Sequence, residues 1–179
     1  MYKFKRICAL MISVAVMAFF LPVSTLNNVD VNSGCFNAVT MLSGMNVVQG
    51  DGYGNFNPER FVSRAEFLSM VKGAFSLSGN TDTDFTDVSD TDWFAEAVGV
   101  CVNLGIIRGV NSTEFCPDDY LTKEQAASVL TKACEYRKNK MLRISDAHKA
   151  AADFGDMDKW AYEYTDKALT SNIFELDNG

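Results

Sequence analysis

Apolar side chains recur at helical spacing in five stretches, and polar, glycine-bearing segments separate them. Phe36, Val39, Leu42 and Met45 form a short face. Phe67, Leu68, Val71, Ala74 and Phe75 form a longer one, and Ala97, Val98, Cys101 and Leu104 a third. Ala126, Ala127, Leu130, Ala133 and Cys134 make the fourth, and Trp160, Tyr164, Ala168 and Leu169 the fifth. Each pattern predicts an amphipathic helix. Two of the helices carry a start signal. Ser63-Arg64-Ala65-Glu66 has the form of a capping box, in which hydroxyl and carboxylate each satisfy a backbone N–H at the helix entrance. Thr122-Lys123-Glu124-Gln125 repeats it. Asp92 is placed to cap a helix from Trp93, and Gly105 to stop it.

The two boxes belong to a larger repeat. Gly50, Phe56, Pro58, Arg64 and Glu66 have counterparts 59 positions later in Gly109, Phe115, Pro117, Lys123 and Gln125. A fixed offset that carries the same physical roles marks an internal repeat. Phe85-Thr86-Asp87-Val88 with Trp93 is echoed again by Phe154-Gly155-Asp156-Met157 with Trp160. These offsets are 69 and 67, because extra residues lie between the second and third copies. The third copy stops at Asp177-Asn178-Gly179, so its capping-box helix is missing and the chain reads as incomplete there. In the first copy Asp30-Val31 stands as the Asp-Val opening. The copies span residues 29–77, 85–136 and 153–179, joined by the polar link Ser78 to Asp84 and by residues 137–152. The second link is basic and holds His148, the single histidine, which reads as exposed and idle.

Residues 1–25 differ from the rest. Three bases precede an apolar run, Ile7 to Leu21, broken only by Ser13. That length suits a signal-peptide core and falls short of the roughly 20 residues of a membrane span. Cleavage is expected near Ser24 to Leu26, with an uncleaved anchor as the alternative. No membrane association is expected once the leader is removed. The net charge is −7 for the whole chain. It becomes about −10 once Lys3, Lys5 and Arg6 leave with the leader. So acidic a protein is a poor partner for nucleic acid. Any anionic ligand must be selected by local cations. Cys35, Cys101, Cys116 and Cys134 remain after the leader; they form no C-x-x-C pair and read as reduced, structural thiols. Asp51, Tyr53 and Asn55 imitate a calcium loop, but Val62 holds the position of the bidentate glutamate, so no metal is expected. No catalytic constellation and no cofactor motif is present, and no enzymatic activity is assigned.

Arg64 is the odd residue. It takes the first helical position, where the dipole disfavours a cation. Lys123 makes the same choice. Either these are solvated surface charges, or they stand beside free backbone N–H groups as anion sites. Trp93 and Trp160 likewise either anchor each repeat's core or stack on a sugar ring.

The ordered set Phe85-x-Asp87-Val88, Trp93, Gly105-Ile106-Ile107-x-Gly109, Phe115-x-Pro117 and Thr122-Lys123-Glu124-Gln125 resembles the S-layer homology (SLH) family of bacterial cell-envelope proteins. In the first copy Gly50-Asp51-Gly52-x-Gly54-x-Phe56-x-Pro58 and Ser63-Arg64-Ala65-Glu66-Phe67 carry the same pattern. The resemblance implies an all-α fold. In it, helix-loop-helix repeats are arranged with pseudo-threefold symmetry around a central bundle, the third repeat here truncated. It further implies a secreted, cell-wall or S-layer protein. Such a protein would anchor without covalent linkage by binding secondary cell-wall polysaccharide, or a peptidoglycan-linked glycan, often pyruvylated. On this resemblance the ligand-binding residues are Arg64 with its counterpart Lys123, Gly50 and Gly109 for close backbone approach, and Trp93 and Trp160. Two alternatives stay open. One is the targeting module of an exported enzyme whose catalytic domain follows Gly179. The other is an S-layer self-assembly module whose partners are other S-layer proteins.

Overall fold

The computed structural model describes residues 26–30, 32, 34–138, 142, 159–171 and 173. The leader at 1–25, the basic link beyond Lys138 (Leu142 apart) and the Phe154 to Met157 opening lie outside the described residues. So does the Asp177 to Gly179 end.

The regular elements among the described residues are helices, and the chain is all-α as expected. They are α1 (Phe36–Gly44), α2 (Arg64–Phe75), α3 (Ala95–Asn103), α4 (Lys123–Lys138) and α5 (Lys159–Thr170). Extended backbone contributes only isolated bridges, Asn27 to Asn55 and Ser63 to Tyr120. α2 packs against both α3 and α4, and α4 packs along α5.

The predicted apolar faces form one core. Val39, Leu42, Phe67, Leu68, Val71, Phe75, Ala97, Val98 and Cys101 are buried in it, as are Ala126, Ala127, Leu130, Ala133, Cys134, Ala168 and Leu169. A large apolar side chain of this kind contributes about 2 kcal/mol when fully buried. Phe56 and Phe115, from the turns before each capping box, are buried as well. Burial pushes the Cys101 thiol up to about 12 and the Cys134 thiol to about 11. Cys35, Cys101, Cys116 and Cys134 are all reduced.

Both capping boxes form. Glu66 N–H donates to Ser63 Oγ at 3.2 Å, and Ser63 N–H donates to Glu66 Oε2 at 3.0 Å. Gln125 N–H donates to Thr122 Oγ1 at 3.2 Å, with the return bond to Gln125 Oε1 at 3.3 Å. The repeat extends to helix ends. α1 closes with Asn46 in the left-handed region at φ 57°, its N–H on Ser43 O, and Val47 N–H on Leu42 O. α3 closes on Gly105 at φ 71°, with bonds to Val102 O and, from Ile106, to Cys101 O. All of these pairs stand 59 apart. By contrast, Asp92 does not cap α3 with its side chain. Its carboxylate accepts from Ser89 N–H at 2.8 Å, and α3 starts at Ala95 without a side-chain cap.

The opening of the first copy is not Asp30-Val31. Asn28 Oδ1 accepts the N–H groups of Phe56 and Asn57, at 3.1 and 3.0 Å. Asp87 accepts those of Phe115 and Cys116, at 2.9 and 2.7 Å. Asn28-Val29 is therefore the counterpart of Asp87-Val88. The motif was hidden because an amide replaces the carboxylate.

The polar link before Phe85 is fitted rather than slack. Asn103 Nδ2 donates to the carbonyls of Asn80 and Asp82, at 3.3 and 2.9 Å. Gly99 of α3 leaves the space that Thr81 fills; a Cβ on Gly99 would stand 1.9 Å from the Thr81 oxygen. Between α4 and α5, Lys167 is buried with Glu135 at 3.1 Å and Glu163 at 2.6 Å. Burial works against its charge, but the two carboxylates outweigh it and hold the Lys167 pKa above its ordinary value.

Candidate functional site: a cationic groove between repeats

Arg64 opens α2 and is buried, at 4% exposure, so it is not a solvated surface charge. Nor are the helix-end N–H groups beside it free. Arg64 N–H donates to Asp119 O at 2.9 Å, and Ala65 N–H to Pro117 O at 3.0 Å. The loop of the second repeat plugs this end of the helix, so any anion must be held by the side chain. The guanidinium lies 4.5 Å from the centroid of the Phe115 ring. Its Nε donates to Phe115 O at 3.0 Å and its Nη2 to Arg108 O at 3.1 Å. A ring face and two carbonyls thus offset the dipole's penalty. Burial pulls the Arg64 pKa down and nearby Asp119 and Asp87 raise it, but a guanidinium stays charged throughout. Nη1 has no hydrogen bond among the described residues.

Arg64 lines a groove of about 580 Å³ together with Arg108, Gly109, Lys132, Trp160 and Tyr164. Residues far apart in the chain meet there: Arg64 comes from the start of α2, the others from the Ile106 to Gly109 turn, α4 and α5. Among the described residues the groove lining has three cations and no carboxylate, in a chain of net charge −7.

A second groove, of about 490 Å³, is its counterpart. It is lined by Gly50, Glu66, Ser69 and Met70, where the first has Gly109, Gln125, Ser128 and Val129, each 59 later. Trp93 stands where the first has Trp160. Its one cation, Arg60, is tied to Glu66 by bonds of 3.0 and 2.8 Å.

The structure therefore brings Arg64, Gly109 and Trp160 together, and Gly50 with Trp93. Lys123, half-buried at the start of α4, lines neither groove. Neither tryptophan anchors a core: Trp93 is 69% and Trp160 50% exposed. The two glycines also have a folding reason. A Cβ on Gly50 would stand 2.6 Å from Asn55 O, and one on Gly109 2.7 Å from Glu114 O. Sequence reasoning missed Arg108 and Lys132. The signal for Arg108 was the variable position of Gly-Ile-Ile-x-Gly; Lys132 is one helical turn beyond Ser128, on the capping-box helix.

Asp87 holds the turn under Arg64 in place. Burial raises its pKa, but the N–H groups of Phe115 and Cys116 and the Arg64 charge more than offset this. The carboxyl therefore lies below its ordinary value of 3.8. A depressed folded pKa contributes stability that is full above the unfolded value and lost as pH falls through the folded one. Asp51 behaves alike, held at about 2 by the backbone and side-chain N–H groups of Asn55. The Asp87→Asn chain is expected to lose about 1 kcal/mol at pH 7, the difference between charged and neutral acceptors. Its urea midpoint should then fall less than the parent's between pH 7 and pH 3. Parallel decline of the two chains would show that Asp87 has no part in acid sensitivity.

No helix among the described residues is long and apolar enough to cross a membrane. No group of three or more His, Cys, Asp or Glu that could hold a metal ion is found there either. Residues 30–68 and 84–127 match the S-layer homology domain. Among its relatives, a surface-layer 125 kDa protein of Lysinibacillus sphaericus is 34% identical over 138 residues, covering 77% of this chain and 11% of that protein. A surface layer protein of Brevibacillus choshinensis is 31% identical over 133 residues, covering 72% of this chain and 12% of that one. An endoglucanase of Bacillus sp. (strain KSM-635) is 24% identical over 178 residues, covering 93% of this chain and 19% of the enzyme. The chain thus spans only a small part of each relative. With its doubled capping boxes, shared turn closures and inter-repeat groove, the chain belongs to the S-layer homology domain family.

Proposed function

We propose that the chain anchors its protein non-covalently to the bacterial cell wall. It does so by holding an acidic secondary cell-wall polysaccharide, pyruvylated or similarly charged, in the Arg64 groove. An S-layer homology domain is a wall-anchoring module, and the chain belongs to the cell wall or S-layer. The observation that carries the finer reading is a groove whose charged lining residues, among those described, are all cations, in a strongly acidic chain. The Nη1 edge of Arg64 meets the ketal carboxylate, and Trp160 offers its face to the sugar ring. The repeats are read as a pseudo-threefold unit, with the two described grooves as symmetry counterparts. The endoglucanase relative favours one extension of this reading, in which the same module holds an exported enzyme at the wall.

Sedimentation with purified walls, before and after removal of the ketal, tests the proposal. Binding that survives ketal removal undiminished contradicts it. The Trp160→Ala chain provides a second check, since a half-exposed ring contributes only about 1 kcal/mol to stability. Truncating an interface tryptophan typically costs 2 kcal/mol or more. Wall affinity is therefore expected to fall at least about tenfold with the melting temperature nearly unchanged. Unaltered affinity would remove Trp160 from the site.

A further inference from the structure

Building on the glycan reading above, we infer that the Arg64 groove holds two acidic groups of its ligand. Arg64 takes the first. Arg108 and Lys132 take the second, a carboxylate or phosphate on the neighbouring sugar unit.

The two grooves supply an internal comparison. They share the glycine, serine and tryptophan positions Gly109 and Gly50, Ser128 and Ser69, Trp160 and Trp93. Scaffold needs are met in both. The repeats part at both of the second repeat's cationic positions: Gln49 stands opposite Arg108, and Gly73 opposite Lys132. One groove has gained two cations that the fold does not require.

Neither cation is neutralised by a carboxylate among the described residues. Lys132 Nζ stands 4.9 Å over the Tyr164 ring, so a π face positions it on the groove wall. Burial and the field of Arg108 both work against its charge. Glu135 opposes them, but its carboxylate is engaged by Lys167 at 3.1 Å and by the Leu142 N–H at 2.9 Å. Two like charges facing one groove repel until an anion enters between them. Arg64 cannot serve this second group as well, because Nε and one Nη2 hydrogen are held by the carbonyls of Phe115 and Arg108. That leaves one edge for one acid.

Two synthetic probes separate the subsites: a hexosamine bearing a single pyruvate ketal, and that sugar linked to glucuronic acid. In calorimetric titration of the chain, the two-acid probe is expected to bind about tenfold tighter, the effect of one added charge-assisted bond. The Lys132→Gln and Arg108→Gln chains should each lose most of that gain. Their affinity for the one-acid probe should fall by less than their affinity for the two-acid probe, so that the ratio between the probes moves from about tenfold toward one. Both positions are surface-accessible, so thermal melting should confirm intact folds. Equal affinity of the parent for the two probes, with the one-acid probe bound, overturns the second subsite and leaves the glycan reading standing. A preference for the two-acid probe as large in Lys132→Gln as in the parent overturns the division of labour among the cations. Binding of neither probe overturns the glycan reading and this inference together.

Discussion

Wall sedimentation of the Arg64→Ala chain is expected to fall at least about tenfold, and Lys123→Ala should stay within about twofold of the parent. Truncating one member of a hydrogen-bonded charge pair typically costs 2–5 kcal/mol of binding, and a tenfold change corresponds to about 1.4 kcal/mol. The substitution also strips two carbonyls of their donor, Phe115 O and Arg108 O. Hydrogen bonds to charged groups contribute about 1.5–3 kcal/mol each, so part of the loss will be stability. The Arg64→Lys chain separates the two effects. An ammonium keeps the charge but cannot fork between carbonyls and a carboxylate. Its stability should drop while some wall binding persists. If Arg64→Ala sediments with walls as the parent does, Arg64 is a structural residue alone and the groove is misassigned.

The largest expected loss of stability lies outside the groove. Gly99→Ala should destabilise the chain by about 3 kcal/mol, the upper range for overpacking a tight site. Helix propensity argues the other way, since alanine gains up to about 1 kcal/mol over glycine within a helix. Sterics decide the sign. The new Cβ would meet Thr81 O at 1.9 Å and Thr81 C at 2.5 Å, and both are backbone atoms that cannot rotate aside. The Asn103 amide, bonded to carbonyls on either side of Thr81, opposes a shift of the link. Denaturant unfolding measures this directly. A Gly99→Ala chain as stable as the parent would mean that the link lifts from α3 at little cost.

Much of this architecture was legible because the repeat wrote it twice. Helix faces, both capping boxes and the Gly105 stop follow from spacing and hydroxyl–carboxyl chemistry, which act over four residues. What escaped depends on contacts distant in sequence. Asn28 could be matched to Asp87 only through the N–H groups that each collects 28 or more residues away. Arg64 looked like an anion-binding helix end because nothing local says that Asp119 and Pro117 plug it. The exposure of Trp93 and Trp160 was equally undecidable, since an aromatic at helical spacing fits a core or a groove. Lys132 carried no motif at all. Its meaning appears only when Gly73 is set beside it and α5 is known to cover its flank.

The Arg64 groove is walled by residues spread from 64 to 164, drawn from α2, the Ile106 to Gly109 turn, α4 and α5. An excised single copy, even one that kept its helices, would present half a receptor. A sugar bridging Arg64 and Trp160 would also staple α2 to α5 across the body of α4. Load arriving from a tethered envelope would then be shared by several helices at once, and the captured polymer would itself act as a brace.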